Sequence, residues 1–195
     1  MKVNLGAGNR CMEGWVNVDQ FNGAAERRED IRTVSFDPGT VDEVLTSHVL
    51  EHLPRADTLS LIAKIYDWLK PGGLFVCEMP NLTTCLNLAG SKVFEKAKNG
   101  LKGIAGGRQT RKNDWDAWMF SHRLELIETA ERERTVDHLI PDDWKSPGDS
   151  HLHVWHAEDF AEQCRSLGFK TTIGCGTIHG PRFGRDFRCE ARKQG

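Results

Sequence analysis

The sequence lacks a strong charge imbalance and a long apolar segment, and each absence excludes a class of protein. Its 26 Lys and Arg residues nearly balance its 28 Asp and Glu residues, which gives a formal net charge of −2. This balance indicates neither a general nucleic-acid binder nor an acidic tail. No apolar run approaches the roughly 18 residues that a membrane span needs, so no membrane span is expected.

The sequence also lacks a C-x-x-C pair among its six cysteines, and its N-terminal MKVNLGAG has no hydrophobic signal region. Cysteine spacing and targeting segments are the sequence features that indicate the compartment in which a protein resides. We therefore expect a soluble, cytoplasmic protein whose cysteines are reduced thiols.

Short β-like runs alternate with helical patterns in the first part of the chain, which favours a parallel sheet with helices on its faces. The length of 195 residues fits a single domain, 1–195. The predicted strands are KVNLG, WVNVD, EVLTS and LFVCEMP, and DIRTVSF is a further candidate at an edge.

Two helices and a hairpin complete the predicted fold. Apolar residues at helical spacing predict a helix over 57–69, and Phe160, Cys164 and Leu167 predict another, which Gly168 ends. The strand FKTTIGCG, the turn-rich IHGPRFGR and the strand DFRCEARK then form an antiparallel hairpin. The sequence therefore predicts an α/β fold with a mostly parallel sheet and a C-terminal antiparallel hairpin.

Residues 82–150 depart from this alternation. They contain several glycines, a basic run and then charged helical sequence. We interpret them as an insertion that acts as a lid and binds the substrate, because substrate selection often lies in loops at the carboxyl edge of a sheet.

A glycine loop, NLGAGNR, follows the first predicted strand and precedes an acidic residue at the end of the second. Gly6 and Gly8 let the backbone approach a ligand, although steric needs of a tight turn also explain them. Asp19 ends WVNVD, where its carboxylate could accept both ribose hydroxyls of an adenosine-type cofactor. A nicotinamide dinucleotide is not indicated, because Cys11 replaces the third glycine and Asp19 follows Gly8 too closely. The gap is also too short for a regular helical crossover.

The stretch HVLEH, residues 48–52, has two interpretations. As H-x-x-E-H on a helix it would be a zinc-peptidase motif, with Glu125 or Glu128 as a third ligand. As part of VDEVLTSHVLEHLP it is a strand that ends at a cofactor-binding edge and turns into a helix. The apolar, β-branched EVLTS directly before His48 favours the second interpretation.

Taken together, these motifs resemble the class I S-adenosylmethionine-dependent methyltransferases, particularly a small branch with a first motif like LNLGAGNRCMEGWVNVD and with HVLEH after the fourth strand. The matches continue through LKPGGLFVCEMPN and HLHVWHAEDFAEQCRSLGF and leave 82–150 outside. The resemblance implies a Rossmann-like, doubly wound fold. It also implies a cofactor site for S-adenosyl-L-methionine made of Leu5, Gly6, Ala7, Gly8, Asp19, Gln20, Asp30, Ile31, Ser47 and His48.

Within that family, each part of the site has a role. The glycine loop would face the methionine part of the cofactor, Asp19 the ribose, and Asp30 and Ile31 the adenine. Asp30 could equally be a solvated turn residue. Ser47 and His48 would border the sulfonium and the acceptor, whereas Glu51 and His52 would be structural, with no metal bound.

The acceptor side of the site has weaker candidates. If the acceptor is a hydroxyl, a histidine could remove its proton, and His48 and then His153 are the candidates. Arg108 and Arg111 could bind a phosphate or carboxylate on the acceptor, with His151 nearby, although a solvated helix face also explains this basic run. A nucleic-acid partner is not expected.

These observations leave three hypotheses about function. The first is a methyltransferase that transfers a methyl group to an oxygen or nitrogen of a small molecule or glycan precursor. The second is a catalytically inactive protein that binds S-adenosylmethionine. The third is a zinc hydrolase.

Overall fold

The computed structural model describes residues 1–81, 84, 155–178 and 186–195. The sequence-based predictions for Arg108, Arg111, His151 and His153 lie outside the described residues, as does nearly all of the 82–150 insertion.

One mixed sheet contains the six strands found in the described part of the chain, in the order β2-β1-β3-β4-β6-β5. The β1–β2, β1–β3 and β3–β4 pairs are parallel, and β6 is antiparallel to both β4 and β5. The predicted α/β, Rossmann-like fold, with a mostly parallel sheet and a C-terminal antiparallel hairpin, is confirmed. The strands are β1 (Lys2–Leu5), β2 (Val16–Val18), β3 (Val41–Ser47), β4 (Leu69–Pro80), β5 (Phe169–Cys175) and β6 (Asp186–Lys193).

Within the described ranges, two α-helices pack against this sheet: α1 (Arg55–Trp68) contacts β4, and α2 (Ala157–Ser166) contacts β5 and β6. Helix α1 ends one residue earlier than expected because Leu69 already has extended backbone angles and begins β4. Helix α2 ends at Ser166, and Gly168 follows its last turn with a φ of +99°, the left-handed conformation that was expected of this glycine. Neither helix is long and apolar enough to cross a membrane.

The core lies between the sheet and the helices, and Phe160 of α2 shows how it is packed. This fully buried ring contacts Phe75, Trp155 and Phe187, with centroid distances of 6.4, 5.5 and 5.7 Å. Aromatic clusters of this kind stabilise a fold mainly through the apolar area that they bury. They fix the hairpin β5–β6 and α2 onto the edge of the parallel strands.

The connection from β1 to β2 contains no helix, as its short length predicted. Hydrogen bonds of buried asparagine side chains hold the connection in place. Asn17 is 1% exposed. Its side-chain oxygen accepts hydrogen bonds from the Asn4 amide at 2.9 Å and from the Met12 backbone N–H at 2.8 Å. Its own amide group donates to the carbonyls of Met12 and Trp15. The glycine loop is therefore held in place by the end of the strand that follows it.

The predicted edge strand DIRTVSF is wrong. The backbone N–H groups of Thr33 and Val34 both donate to the Asp30 carbonyl, each at 3.0 Å, so the segment begins with a turn. Because those N–H groups are used within the segment, they cannot pair with a neighbouring strand. The strand before HVLEH is consequently the third of the described strands rather than the fourth.

Candidate functional site

The carboxyl ends of β1 and β3 form the point at which the chain changes direction across the sheet. From β1 the chain passes to β2 on one side, and then returns to place β3 on the other side. Open α/β sheets bind ligands in the crevice at such a switch point. The predicted site residues that follow β1, β2 and β3 all lie at this edge of the sheet.

Gly6 closes the floor of this crevice. Its φ is +68°, and a Cβ at this position would lie 2.5 Å from a methyl carbon of Val49, in the turn after β3. Glycine is therefore required here by packing between two loops, independently of any ligand. Leu5 and Ala7 are buried as well, so the side chain of neither can face a ligand in solvent.

Gly8, in contrast, borders open space. Its φ is +50°, and nothing lies within 4 Å of the position that a Cβ would occupy. Its N–H donates to Asp19 at 2.9 Å and its carbonyl accepts a hydrogen bond from the Asn22 side chain, so both backbone polar groups of Gly8 are used within the loop. Among the described residues, Ser47 Oγ at the end of β3 is one of four buried side-chain atoms without a hydrogen-bond partner. Open space at Gly8, a carboxylate and an unsatisfied hydroxyl fit a polar cofactor with hydroxyl groups.

Asp19 organises the loop that it borders. One carboxylate oxygen accepts hydrogen bonds from the backbone N–H groups of Phe21 and Asn22, both at 2.8 Å, and the other accepts from Gly8. An ionised carboxylate has about four acceptor positions, so these contacts leave about one. The carboxylate therefore has room for one ribose hydroxyl instead of the two that we expected, while it also fixes the loops after β1 and β2.

The other predicted cofactor residues near Asp19 differ in exposure. Gln20 is exposed, Ile31 is buried, and the half-buried Asp30 forms a salt bridge with Arg32. The hydrogen bond from Arg32 lowers the pKa of Asp30. Asp30 thus stabilises its own turn, and its contact with adenine stays a prediction.

His48 lies at the centre of the described edge and has a strained backbone. Its φ of +55° is the only positive φ of a non-glycine residue in the part of the chain that the structure describes. The backbone N–H donates to the carbonyl of Glu78 at 2.8 Å. Ring atom Nδ1 lies 3.1 Å from Glu51, and Nε2 lies 3.0 Å from Asp186. The ring therefore connects the turn after β3 with the first residue of β6.

These contacts set the protonation state of His48. Burial alone would lower its pKa, but hydrogen bonds to the carboxylates of Asp186 and Glu51 outweigh burial and raise the pKa to about 9. At neutral pH the ring is an imidazolium whose two N–H groups both donate. An imidazolium has no lone pair with which to accept a proton, so this arrangement disfavours His48 as a general base.

The HVLEH segment does not have the geometry of a helical zinc motif. His48 precedes a short 3₁₀ turn, Leu50–His52, and α1 begins only at Arg55. The two histidines are therefore not placed one α-helical turn apart on one face, as H-x-x-E-H requires. No group of three potential ligands that could hold a metal ion occurs among residues 1–81, 84, 155–178 and 186–195.

Glu78 was not predicted from the sequence. It lies at the centre of a second network of hydrogen bonds. It is 1% exposed near the end of β4. Its carboxylate accepts hydrogen bonds from the backbone N–H groups of Thr177 and Ile178, at 3.0 and 2.8 Å, and pairs with Arg188 at 3.0 Å. Burial would raise the pKa of Glu78, but these donors lower it. A charged residue within the apolar run LFVCEMP was the available signal, because buried charges need partners.

Residues 176–178, which we call the β5 extension, cross the carboxyl edge of the sheet. Beyond Thr177 and Ile178, which bind Glu78 of β4, the Ile178 carbonyl accepts a hydrogen bond from Arg10 at 2.8 Å. Arg10 belongs to the glycine loop after β1, and four strand spacings, roughly 19 Å, separate β1 from β5. The extension therefore folds back from the sheet edge towards the candidate cofactor site.

Comparison with known proteins agrees with this geometry. A family model described as a methyltransferase domain matches residues 9–172. No curated protein matches the chain in sequence. Many solved structures are similar, but at low identity, so they show the fold alone.

Three of these structures illustrate the similarity. An S-adenosylmethionine-dependent methyltransferase from Mesorhizobium loti is 15% identical, with a TM-score of 0.55 over 98% of this chain and 90% of that one. One from Archaeoglobus fulgidus is 15% identical, with a TM-score of 0.54 over 98% and 85%. The 1,6-didemethyltoxoflavin-N1-methyltransferase of Burkholderia thailandensis, bound to S-adenosylhomocysteine, is 12% identical, with a TM-score of 0.53 over 100% and 71%.

The family match covers most of the chain, and the sheet has its switch point between β1 and β3, beside the glycine loop and Asp19. The chain therefore belongs to the methyltransferase-domain family and is a class I S-adenosylmethionine-dependent methyltransferase.

Proposed function

We propose that this methyltransferase transfers a methyl group to an oxygen or nitrogen atom of a small molecule or glycan precursor. The observation that carries the methyltransferase activity is an opening at the switch point of the sheet, where open space at Gly8 lies beside the carboxylate of Asp19. Membership of the methyltransferase family favours an active enzyme over an inactive binding protein. The five cysteines within the described residues are free thiols, which supports a cytoplasmic location.

We assign the cofactor to the edge formed by the loops after β1, β2 and β3. The carboxylate of Asp19 would bind a polar group of the cofactor beside the open space at Gly8, and Ser47 Oγ would gain a partner. S-adenosylmethionine would supply a methyl group bonded to a sulfonium sulfur. The acceptor atom would replace the sulfur on that methyl group by an in-line displacement. Orientation alone contributes several kcal/mol to such reactions. The rigid loops around Gly6 and His48 suit that role.

The acceptor side of the proposal rests on the sequence. Arg108 and Arg111 are the candidates for binding an anionic group of the acceptor, and His151 and His153 are candidates for contacts with its nucleophilic atom. Of these, His153 is the candidate general base, because both ring nitrogens of His48 contact carboxylates.

Cofactor binding can be tested with Asp19→Asn. The amide keeps one oxygen for the N–H groups of Phe21 and Asn22, but its NH₂ group cannot accept from Gly8 or from a ribose. Loss of hydrogen bonds to a charged group should weaken binding of S-adenosylhomocysteine, measured by calorimetry, by roughly 10- to 100-fold. Asp37→Asn, at an exposed carboxylate, is the control. Equal affinity in wild type and a folded Asp19→Asn protein would refute this site.

The acceptor class needs a separate assay. Transfer of radiolabelled methyl groups from S-adenosylmethionine is measured for a panel of hydroxyl- and amine-containing metabolites and sugar nucleotides, with a protein and an RNA fraction in parallel. Turnover only with the protein or RNA fraction would contradict the proposed substrate class.

A further inference from the structure

His48 connects three separate parts of the fold. Its backbone N–H binds β4, one ring nitrogen contacts Glu51 in the 3₁₀ turn, and the other contacts Asp186 at the start of β6. The side chain is only 15% exposed, and Glu51 and Asp186 are 1% and 7% exposed. A left-handed backbone at a non-glycine residue costs about 1–3 kcal/mol and persists only where the surroundings impose it.

Three acidic residues in the described part of the chain contact His48. Glu51 and Asp186 face the two ring nitrogens, whereas Glu78 presents its backbone carbonyl to His48 and directs its carboxylate to Arg188. Two carboxylates at hydrogen-bond distance from one ring favour a cation that donates to both. The ring thus has no nitrogen left to bind an acceptor.

Asp186 connects His48 to the β5 extension. Its carbonyl accepts a hydrogen bond from Gly176 at 3.0 Å, and a Cβ on Gly176 would lie 2.9 Å from the Cβ of Asp186. The backbone of Gly176 is therefore packed closely against Asp186 and hydrogen-bonded to it. The two residues after Gly176 bind Glu78 and Arg10 at the carboxyl edge.

We propose that His48 is a positioning residue in the methyltransferase reaction, and that its two ring N–H groups hold Glu51 and Asp186 so that the β5 extension is fixed over the cofactor edge. The part of this inference that concerns the reaction rests on the proposed function. When the acceptor is a hydroxyl or an amine, its new C–O or C–N bond forms while the C–S bond breaks. The proton that the acceptor loses goes to another group or to water, not to His48.

The protonation state can be tested without any substrate. In ¹⁵N-labelled protein, both ring nitrogens of His48 should show imidazolium shifts at pH 7, and the titration midpoint should be about 9. Asp186→Asn removes one negative charge and should lower that midpoint by about one pH unit or more. A neutral His48 at pH 7 in the wild-type protein would overturn the inference, whether or not the protein binds S-adenosylhomocysteine.

The positioning role is tested with His48→Asn, because asparagine tolerates a positive φ but cannot span both carboxylates. Amide hydrogen exchange at Thr177 and Ile178 should become faster in this variant, while His52→Asn should leave it unchanged. Unchanged exchange in His48→Asn, or equally faster exchange in both variants, would overturn the inference.

Kinetics separate positioning from proton transfer. Misplacement of the reacting groups should lower the kcat/KM of His48→Asn by roughly 10- to 100-fold, and the fall in the wild-type rate as His48 deprotonates near pH 9 should be absent from the variant. Loss of an ionisation whose deprotonated form is the active one would show instead that His48 accepts the proton, and would overturn the inference. If S-adenosylhomocysteine does not bind but the ring is an imidazolium, the proposed function fails and the contact network stands.

Discussion

Replacing Glu78 by Gln tests whether the buried carboxylate holds the β5 extension. One carboxylate oxygen accepts from Thr177 and Arg188, and the other accepts from Ile178 at 2.8 Å. In Glu78→Gln an NH₂ group replaces one carboxylate oxygen and cannot accept a hydrogen bond. It therefore either faces the N–H of Ile178 or displaces Arg188. The variant therefore loses a charge-assisted hydrogen bond and the partner of a buried ion pair.

The expected loss is about 3 kcal/mol in the free energy of unfolding, since one hydrogen bond to a charged group contributes about 1.5–3 kcal/mol and a broken buried pair costs more. Glu190→Gln is a matched control, because Glu190 pairs with the same Arg188 at 2.8 Å but is 44% exposed. An exposed pair contributes at most about 1 kcal/mol.

Urea unfolding at pH 7, followed by tryptophan fluorescence, measures both variants. The difference between wild type and Glu78→Gln should shrink as the pH falls below 4.5, because the pKa of Glu78 is lower in the folded protein than its ordinary value of 4.5. Losses within about 1 kcal/mol of each other for Glu78→Gln and Glu190→Gln at pH 7 would refute the argument from burial.

Two further predictions concern His48 and the glycine loop. The raised pKa of His48 stabilises the protein fully below its unfolded value of 6.5, and this contribution is lost as the pH rises to about 9; a difference of about 2.5 pH units corresponds to about 3 kcal/mol. Urea unfolding from pH 6 to 10 should show this decline in wild type but not in His48→Asn, and a flat wild-type profile would contradict it. Gly6→Ala should lower the free energy of unfolding by about 2–4 kcal/mol through overpacking against Val49 and a strained φ. Gly8→Ala should cost only about 1 kcal/mol yet weaken S-adenosylhomocysteine binding, as calorimetry and thermal unfolding can show; equal losses of stability would contradict the packing argument.

The sequence predicted the helices, strands and loops that depend on residues close together in the chain. Alternating apolar runs and the glycine after α2 define the strands and helices, and short motifs marked the loops after β1, β2 and β3. The edge strand at DIRTVSF failed because the turn at Asp30, which depends on hydrogen bonds within the segment, overrides the β-propensity of its apolar residues.

The contacts that could not be predicted join residues far apart in the chain. His48 and Asp186 are 138 residues apart, and Glu78 lies 99 and 100 residues from Thr177 and Ile178. No periodicity in the sequence encodes such pairs. They change the interpretation of HVLEH, because the ring nitrogens that seemed available to a proton or a metal are both directed at carboxylates.

The hydrogen bond between Arg10 and Ile178 has a consequence for the order in which the protein folds. It joins residues 168 positions apart, and contacts of such long sequence separation form slowly because the intervening chain must first be ordered. Strands β1 to β4 can pair during synthesis before the hairpin exists, so the edge that meets the cofactor is complete only after the C-terminal strands have docked. Acquisition of S-adenosylhomocysteine binding during refolding would therefore mark one of the last steps of folding.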